Sequence, residues 1–325
     1  MVKAVRTPSK LYKYRTFSTQ TLDLLVTDQV YFADPTKFND PLDTRPYVRP
    51  DASAEVLQEA LQQLIERRME SELKTAAEAI HYRGPKTQSR ISELSRVQAQ
   101  NSIRDIAYLA SDPEYAGHEE EVELDMLAYR LQEELLRRYD KGILSLAGRF
   151  DCPLMWSHYG DQHNGICIGY SVPDEQAVQL HQVIYGGSRV IEASRVAAML
   201  SGEPQAQNDV DSAVLLRKAK DWKYEKEWRV IGPKGLAENP FVLADITFGL
   251  RCSGAVKYAV MSAFQDRVDP VKFYEIREES SSFNLKRRQL TGREFENYYP
   301  KSAQRNRAIF HMLEPLVGED EILET

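Results

Sequence analysis

Between residues 52 and 140 the chain runs through three long amphipathic stretches in succession, and any fold for this sequence has to house them. From Ala54 to Ile80 the apolar positions are Leu57, Leu61, Leu64, Ile65, Leu73, Ala76, Ala77 and Ile80, which mark one face of a helix. Gly84-Pro85 breaks that stretch, a second covers roughly 87–110, and Asp112-Pro113 breaks the second. The third runs from about Glu119 to Tyr139, with Leu124, Leu127, Leu131 and Leu135 on one face. Its Glu133 and Glu134 stand four residues before Arg137 and Arg138, a pairing that adds a few tenths of a kcal/mol. The block reads as an inserted helical subdomain over 52–140. Helices that merely cover a sheet are the alternative.

The flanks carry strand signals. Leu11–Phe17 is an aromatic run suited to a strand, residues 19–26 suit a short helix, and Gln29–Ala33 suits a second strand. DPTKFNDPLD follows, its two Asp-Pro steps imposing extended or turn geometry. Beyond Gly142, strands are expected at 143–150, 165–171, 183–187, 227–232, 241–249, 271–276 and 283–290. Helices are expected at 189–200, 211–221, 254–265 and near 303–313, before an acidic tail. Strands gather at both ends and alternate irregularly with helices, which points to α+β rather than a regularly wound parallel sheet. The organisation is therefore an α+β core from 1–51 and 141–300, the helical insertion 52–140, and a C-terminal helix and tail over 301–325.

With 42% hydrophobic and 28% charged residues the chain has the composition of a soluble globular protein. A net charge of −7 argues against wrapping nucleic acid, although a local basic groove is compatible with it. Cys152, Cys167 and Cys252 are too few and too scattered for a disulfide framework or a zinc cluster. No apolar run approaches the roughly 20 residues that span a bilayer. A reducing cytoplasm without membrane attachment is the expected compartment.

Common catalytic fingerprints are missing: no G-x-G-x-x-G, Walker loop, H-E-x-x-H, C-x-x-C or G-x-S-x-G is present. Four other clusters carry the chemistry. Tyr14-Arg15 ends the first strand, where a guanidinium can clamp a phosphate or carboxylate, or simply sit at a sheet edge. Phe38-Asn39-Asp40-Pro41-Leu42-Asp43 suits an Asx-turn, while Asp34, Asp40 and Asp43 together have the oxygen chemistry of a divalent-cation site. Met155–His163 places Trp156, Ser157, His158, Tyr159 and His163 between two apolar strands, where His158 and Tyr159 could orient a substrate or move a proton. A hydrogen-bonded core histidine is the plainer reading.

The fourth cluster is WKYEKEWRVIG at 222–232. Glu225 and Glu227 at i and i+2 of a strand share a face, and that placement is useful where a cation forms beside them. Trp222 and Trp228 would restrict water and strengthen the interaction. The alternative is a surface ladder neutralised by Lys223, Lys226 and Arg229.

Taken in order, the N-terminal YR, FNDPLD, MWSHY before a glycine-led apolar strand, and WKYEKEWR resemble a bacterial family known as domain of unknown function 2971, over about residues 11–249. More distantly they resemble the ADP-ribosyltransferase-like superfamily. That resemblance implies a split, mainly antiparallel sheet that binds NAD. Arg15, beside Tyr14, would contact its diphosphate or ribose. Glu227 would hold the nicotinamide ribose and stabilise the cation formed as nicotinamide leaves, with Glu225 orienting the acceptor. Ser145 and Ser157 are both candidates for the middle-strand serine. NAD is then a substrate, the acceptor a protein, nucleic acid or small molecule, and the biological role that of a toxin or phage-defence effector; no metal is expected. His158 is grouped with the catalytic residues, and Asn39, Asp40, Trp156, Ser157 and Tyr159 with the binding residues. Two other readings stand beside this one. The first is a metal-dependent phosphodiesterase or nuclease using Asp34, Asp40, Asp43, His158 and His163. The second is a non-enzymatic module whose partner binds helices 52–140.

Overall fold

The computed structural model describes residues 7–115, 118–173 and 178–291, together with Glu294 and Tyr298. In chain order the elements begin with β1 (Lys10–Arg15), α1 (Thr19–Val26), β2 (Gln29–Phe32) and β3 (Tyr47–Arg49). The long helices α2 (Ala54–Ala79), α3 (Thr87–Ala110) and α4 (Glu119–Arg138) follow. Then come β4 (Gly142–Ala147), α5 (Pro153–His158), β5 (Ile166–Ser171), β6 (His181–Gln182), β7 (Ile184–Tyr185) and β8 (Val190–Glu192). α6 (Ala193–Leu200), α7 (Pro204–Leu215), β9 (Arg217–Lys218), β10 (Glu227–Gly232), β11 (Gly235–Glu238) and β12 (Val242–Phe248) lead to α8 (Gly254–Ala263), β13 (Lys272–Glu278) and β14 (Leu285–Gln289). The class is α+β with mainly antiparallel pairing.

The chain divides into two units. The first holds the described residues up to Tyr12, with Asp28–Arg149 and Ser171–Val242. Its strand β10 lies between β4 and β6 and is antiparallel to both, placing Arg229 opposite Ser145 and His181. Short parallel pairs join β7 to β9 and β3 to β8, and β2 pairs antiparallel with β11. Its hydrophobic core is helical: Leu57, Leu61 and Ile65 of α2 meet Ile106 of α3 and Leu127, Leu131 and Leu135 of α4. Val196 and Met199 of α6 and Val210 and Val214 of α7 belong to the same core. The block read as an insertion over 52–140 thus shares its interior with 193–215. Three glutamates open α4 and Arg137 and Arg138 close it, each matching the helix dipole.

The second unit holds Lys13–Thr27, Phe150–Tyr170 and the described residues from Leu243 on. β12 runs parallel to β13, β13 antiparallel to β14, and β5 lies beside β12. Ser18 caps α1 by accepting from Thr21 N at 3.1 Å, and Ser253 caps α8 by accepting from Val256 N at 3.3 Å. Asp245 of β12 is fully buried and paired with Arg287 of β14 at 3.1 Å.

Several expectations are corrected. The apolar face drawn along α2 is fully buried only as far as Ile65; beyond it Leu73 and Ala77 are half-buried, on the stretch where Ser92 of α3 meets Glu70 at 2.9 Å, and Ala76 and Ile80 are exposed. The single strand expected at 183–187 is two two-residue strands, and the chain leaves them through Gly186 and Gly187, both at φ +80. The helix expected from 189 starts at Ala193, since Val190–Glu192 pair with β3 instead. The helix expected at 211–221 runs from Pro204, which sits in its first turn, to Leu215. The helix expected near 303–313 lies outside the described residues. Among the described residues, no helix is long and apolar enough to cross a membrane.

Candidate functional site

Lys220–Glu225 form a 3₁₀ turn, Lys226 takes the left-handed conformation at φ 47 and ψ 49, and β10 starts at Glu227. Glu225 and Glu227 therefore do not alternate on one strand, as the sequence spacing suggests. A left-handed lysine, which costs roughly 1 kcal/mol, swings the chain between them. Both carboxylates nevertheless end up buried, at 3% exposure each.

They meet in a charged cluster inside the first unit. Arg229, fully buried, donates from Nε to Glu227 Oε1 at 2.8 Å and from Nη2 to Glu227 Oε2 at 3.1 Å. The same Nη2 reaches both oxygens of Asp43 at 2.9 and 2.7 Å, and Nη1 donates to the Leu215 carbonyl at 2.6 Å. Lys218 of β9 donates to Glu225 at 2.7 Å and Glu227 at 3.0 Å, and lies 3.3 Å from Asp43. Ser145 of β4 hydrogen-bonds the Glu227 carboxylate. The Glu227 amide donates to the Tyr185 hydroxyl at 2.7 Å, which fixes the start of β10. Three carboxylates thus face two cations. Burial alone would raise the Glu227 pKa, but the Arg229 and Lys218 charges and the hydrogen bonds from Arg229 and Ser145 outweigh it and hold the group well below the usual carboxylate range. Burial would lower the Lys218 pKa, and its three carboxylate neighbours raise it instead.

A cavity of about 410 Å³ adjoins this cluster, lined by Asp34, Phe38, Asp40, Asp43, Thr44, Arg45, Tyr139 and Asp140 among others. The Arg229 guanidinium stands 5.7 Å from the Phe38 ring centroid, so the residues that seat Arg229 also wall the cavity. Thr44 holds φ 57, a sterically disfavoured state for a β-branched residue, beside the Asp43 that anchors Arg229. Asp40 accepts from Leu42 N at 2.9 Å, the Asx-turn read from the sequence, and from Trp222 Nε1 at 2.8 Å. Asn39 is exposed. Asp34 caps the turn at Pro35–Lys37 and pairs with Lys234 at 2.9 Å; that hydrogen bond, joined by those from Thr36, brings its pKa down to about 2. The carboxylates of Asp34, Asp40 and Asp43 are turned to Lys234, Trp222 and Arg229 respectively. Among the described residues no group of three or more His, Cys, Asp or Glu is placed to hold a metal ion.

The remaining residues of interest lie in the second unit. Trp156 is fully buried, donates from Nε1 to the Phe150 carbonyl at 2.8 Å, meets Tyr14 edge-on at 5.1 Å and stacks with His163 at 6.0 Å. It is a pillar of that core, and burial pushes the Tyr14 hydroxyl pKa up. Ser157 is exposed and donates to the Pro153 carbonyl at 3.0 Å. His158, last residue of α5, is exposed rather than the buried core histidine of the plainer reading; its ring lies against that of half-buried Tyr159. Asp161, Gln162 and His163 form a run of three left-handed residues. Arg15 forms no ion pair with a described residue, and burial lowers its pKa while Tyr170 works the other way.

Sequence reasoning missed Lys218 and Tyr185; Lys223 and Lys226, the counter-charges of the alternative surface ladder, do not take part in the cluster. Nothing in RKAKDWKYE separates Lys218 from its neighbours; only the parallel β7–β9 pairing brings it inward.

Residues 155–230, which span α5 through most of β10, match the family model described as "Protein of unknown function (DUF2971)". MWSHY and WKYEKEWR both fall within the matched segment, while YR and FNDPLD lie before it. No curated protein and no solved structure matches the chain.

Proposed function

We propose that the chain is an NAD-consuming enzyme of the ADP-ribosyltransferase-like type, with Glu227 as the carboxylate that faces the reacting ribose. The observation that carries this reading is the Ser145–Glu227 hydrogen bond between neighbouring strands, with Glu227 opening its strand two residues after a second glutamate. It favours Ser145 over Ser157 as the middle-strand serine. In the reaction the bond between the nicotinamide nitrogen and the ribose C1′ breaks, its electron pair leaving with nicotinamide. The cation left at C1′ is taken by a nucleophile of the acceptor or by water, which then loses a proton. A carboxylate kept ionised by its neighbours is suited to stabilising that cation and unsuited to shuttling protons at neutral pH. At about 4 Å and an effective dielectric constant near 20 such a charge contributes roughly 4 kcal/mol, before discounting for the cations already on it.

The test is nicotinamide release, followed by chromatography, from NAD with protein, nucleic-acid and small-molecule acceptors and with water alone. Glu227→Gln is expected to lower the rate about 10²–10³-fold. Ser145→Ala, which leaves every ion pair of the cluster in place, is expected to lower it about tenfold with an unchanged circular dichroism spectrum. Wild-type protein that neither binds NAD nor releases nicotinamide with any acceptor overturns the reading.

A further inference from the structure

Where α3 ends and α4 begins, the first unit presents an apolar groove of about 500 Å³ lined by Ile106, Leu109, Tyr115, Val122, Met126 and Tyr129. Tyr108 beside it is 78% exposed, Tyr129 60% and Leu109 46%, a concentration of aromatic surface that a helical surface does not need for stability. The rim is acidic: Asp112, Glu114, Glu119, Glu120, Glu121 and Asp125 are exposed, and none forms an ion pair with a described residue. The α4 dipole accounts for the three glutamates of its first turn but not for Asp112, Glu114 or Asp125. Arg130, the cation on the lining, is paired with Glu133.

We propose that this groove docks a basic amphipathic helix of a partner protein, its apolar face against Leu109, Tyr115, Met126 and Tyr129 and its Lys or Arg residues over the rim. A flexible methionine and amphipathic tyrosines are the side chains that helix-in-groove recognition uses. Charge complementarity selects the occupant. A second copy would bring an identical acidic rim against this one. Nucleic acid and anionic membranes carry the same sign as the rim. The inference is independent of the NAD reading, because no residue of the groove belongs to the charged cluster or its cavity.

The experiment uses the full chain and a fluorescein-labelled 18-residue Lys/Leu peptide with leucines at helical spacing, read by anisotropy at 50 and 300 mM salt. A scrambled peptide of equal composition is the control for charge alone. The helical peptide is expected to bind at least tenfold more tightly than the scrambled one and to weaken severalfold at the higher salt. Leu109→Ser with Tyr129→Ser, both on exposed positions, is expected to weaken binding at least tenfold with an unchanged melting temperature. Equal binding of both peptides, or equal binding to the double variant, overturns the proposal. So does a wild-type dimer in sedimentation that the double variant makes monomeric and the peptide fails to dissociate, or binding to anionic vesicles in preference to the peptide.

Discussion

Replacing Lys218 by methionine leaves Asp43, Glu225 and Glu227 buried with Arg229 as their remaining cation. Each Lys218 contact, at 2.7 to 3.3 Å, has a gross attraction of roughly 5 kcal/mol at an effective dielectric constant of about 20. Most of that is offset by the desolvation of four charges, so the sum is no measure of stability. What decides the variant is the uncompensated charge left behind, and removing one partner of a buried pair costs about 3–5 kcal/mol. A surface bridge of similar length, such as Arg90–Glu93 with both side chains more than half exposed, gives at most about 1 kcal/mol. Urea unfolding at pH 7 is therefore expected to show Lys218→Met destabilised by about 3–5 kcal/mol, with an unchanged slope. The pH dependence supplies a second check. The Glu227 pKa is depressed in the folded chain, so its contribution is present above its ordinary value of 4.5 and is lost as pH falls toward about 2. The Lys218 pKa is raised, so its contribution is intact below 10.5 throughout this range. Without Lys218 the carboxylates repel one another, and protonation relieves them. The gap between wild type and variant should thus narrow as pH falls from 7 toward 3. A loss under 1 kcal/mol at pH 7, or a gap that widens on acidification, refutes the reasoning.

Two further outcomes follow from the second unit. A Cβ at Gly169 would stand 2.4 Å from Asp245 Oδ1, and Asp245 is fully buried and held by Arg287, so Gly169→Ala is expected to cost at least 1–3 kcal/mol in urea unfolding. Trp156→Ala removes a fully buried indole and orphans the Phe150 carbonyl, for an expected loss of about 3–5 kcal/mol; a loss below 1 kcal/mol would contradict the pillar role.

Long elements were legible because their signal is local. The α1 and α3 boundaries follow from period and breakers alone, at Thr19–Val26 and Thr87–Ala110. The stretch 181–192 was not legible, since strands of two or three residues exist only through partners far along the chain, such as Tyr47 opposite Val190. The α2 face shows the reverse failure. Periodicity continues to Ile80, but how deeply each turn of the face is covered is a tertiary fact, and Ile80 is 75% exposed. At the charged cluster, local reading found the two glutamates by their odd placement. It then took the nearest cations in sequence as their partners, and of these Arg229 alone is used. Asp43 lies 186 positions from Arg229, and no period or motif links them.

Three carboxylates against two cations is an unusual way to pin the loop at Asp43 to β10. Apolar side chains of the same volume would hold it as well, because desolvation takes back what the ion pairs give. What apolar packing cannot do is keep a buried carboxylate ionised. Removing Lys218 would raise the Glu227 pKa, and removing Arg229 would raise it too and take from Asp43, in the cavity wall, both of its guanidinium contacts. The excess negative charge is also oriented: Ser145 and the Tyr185-anchored amide fix Glu227 at the start of β10. A site fixed in this way has little reorganisation left to do when a positive charge develops beside it, which is the condition under which a single carboxylate contributes most to a reaction.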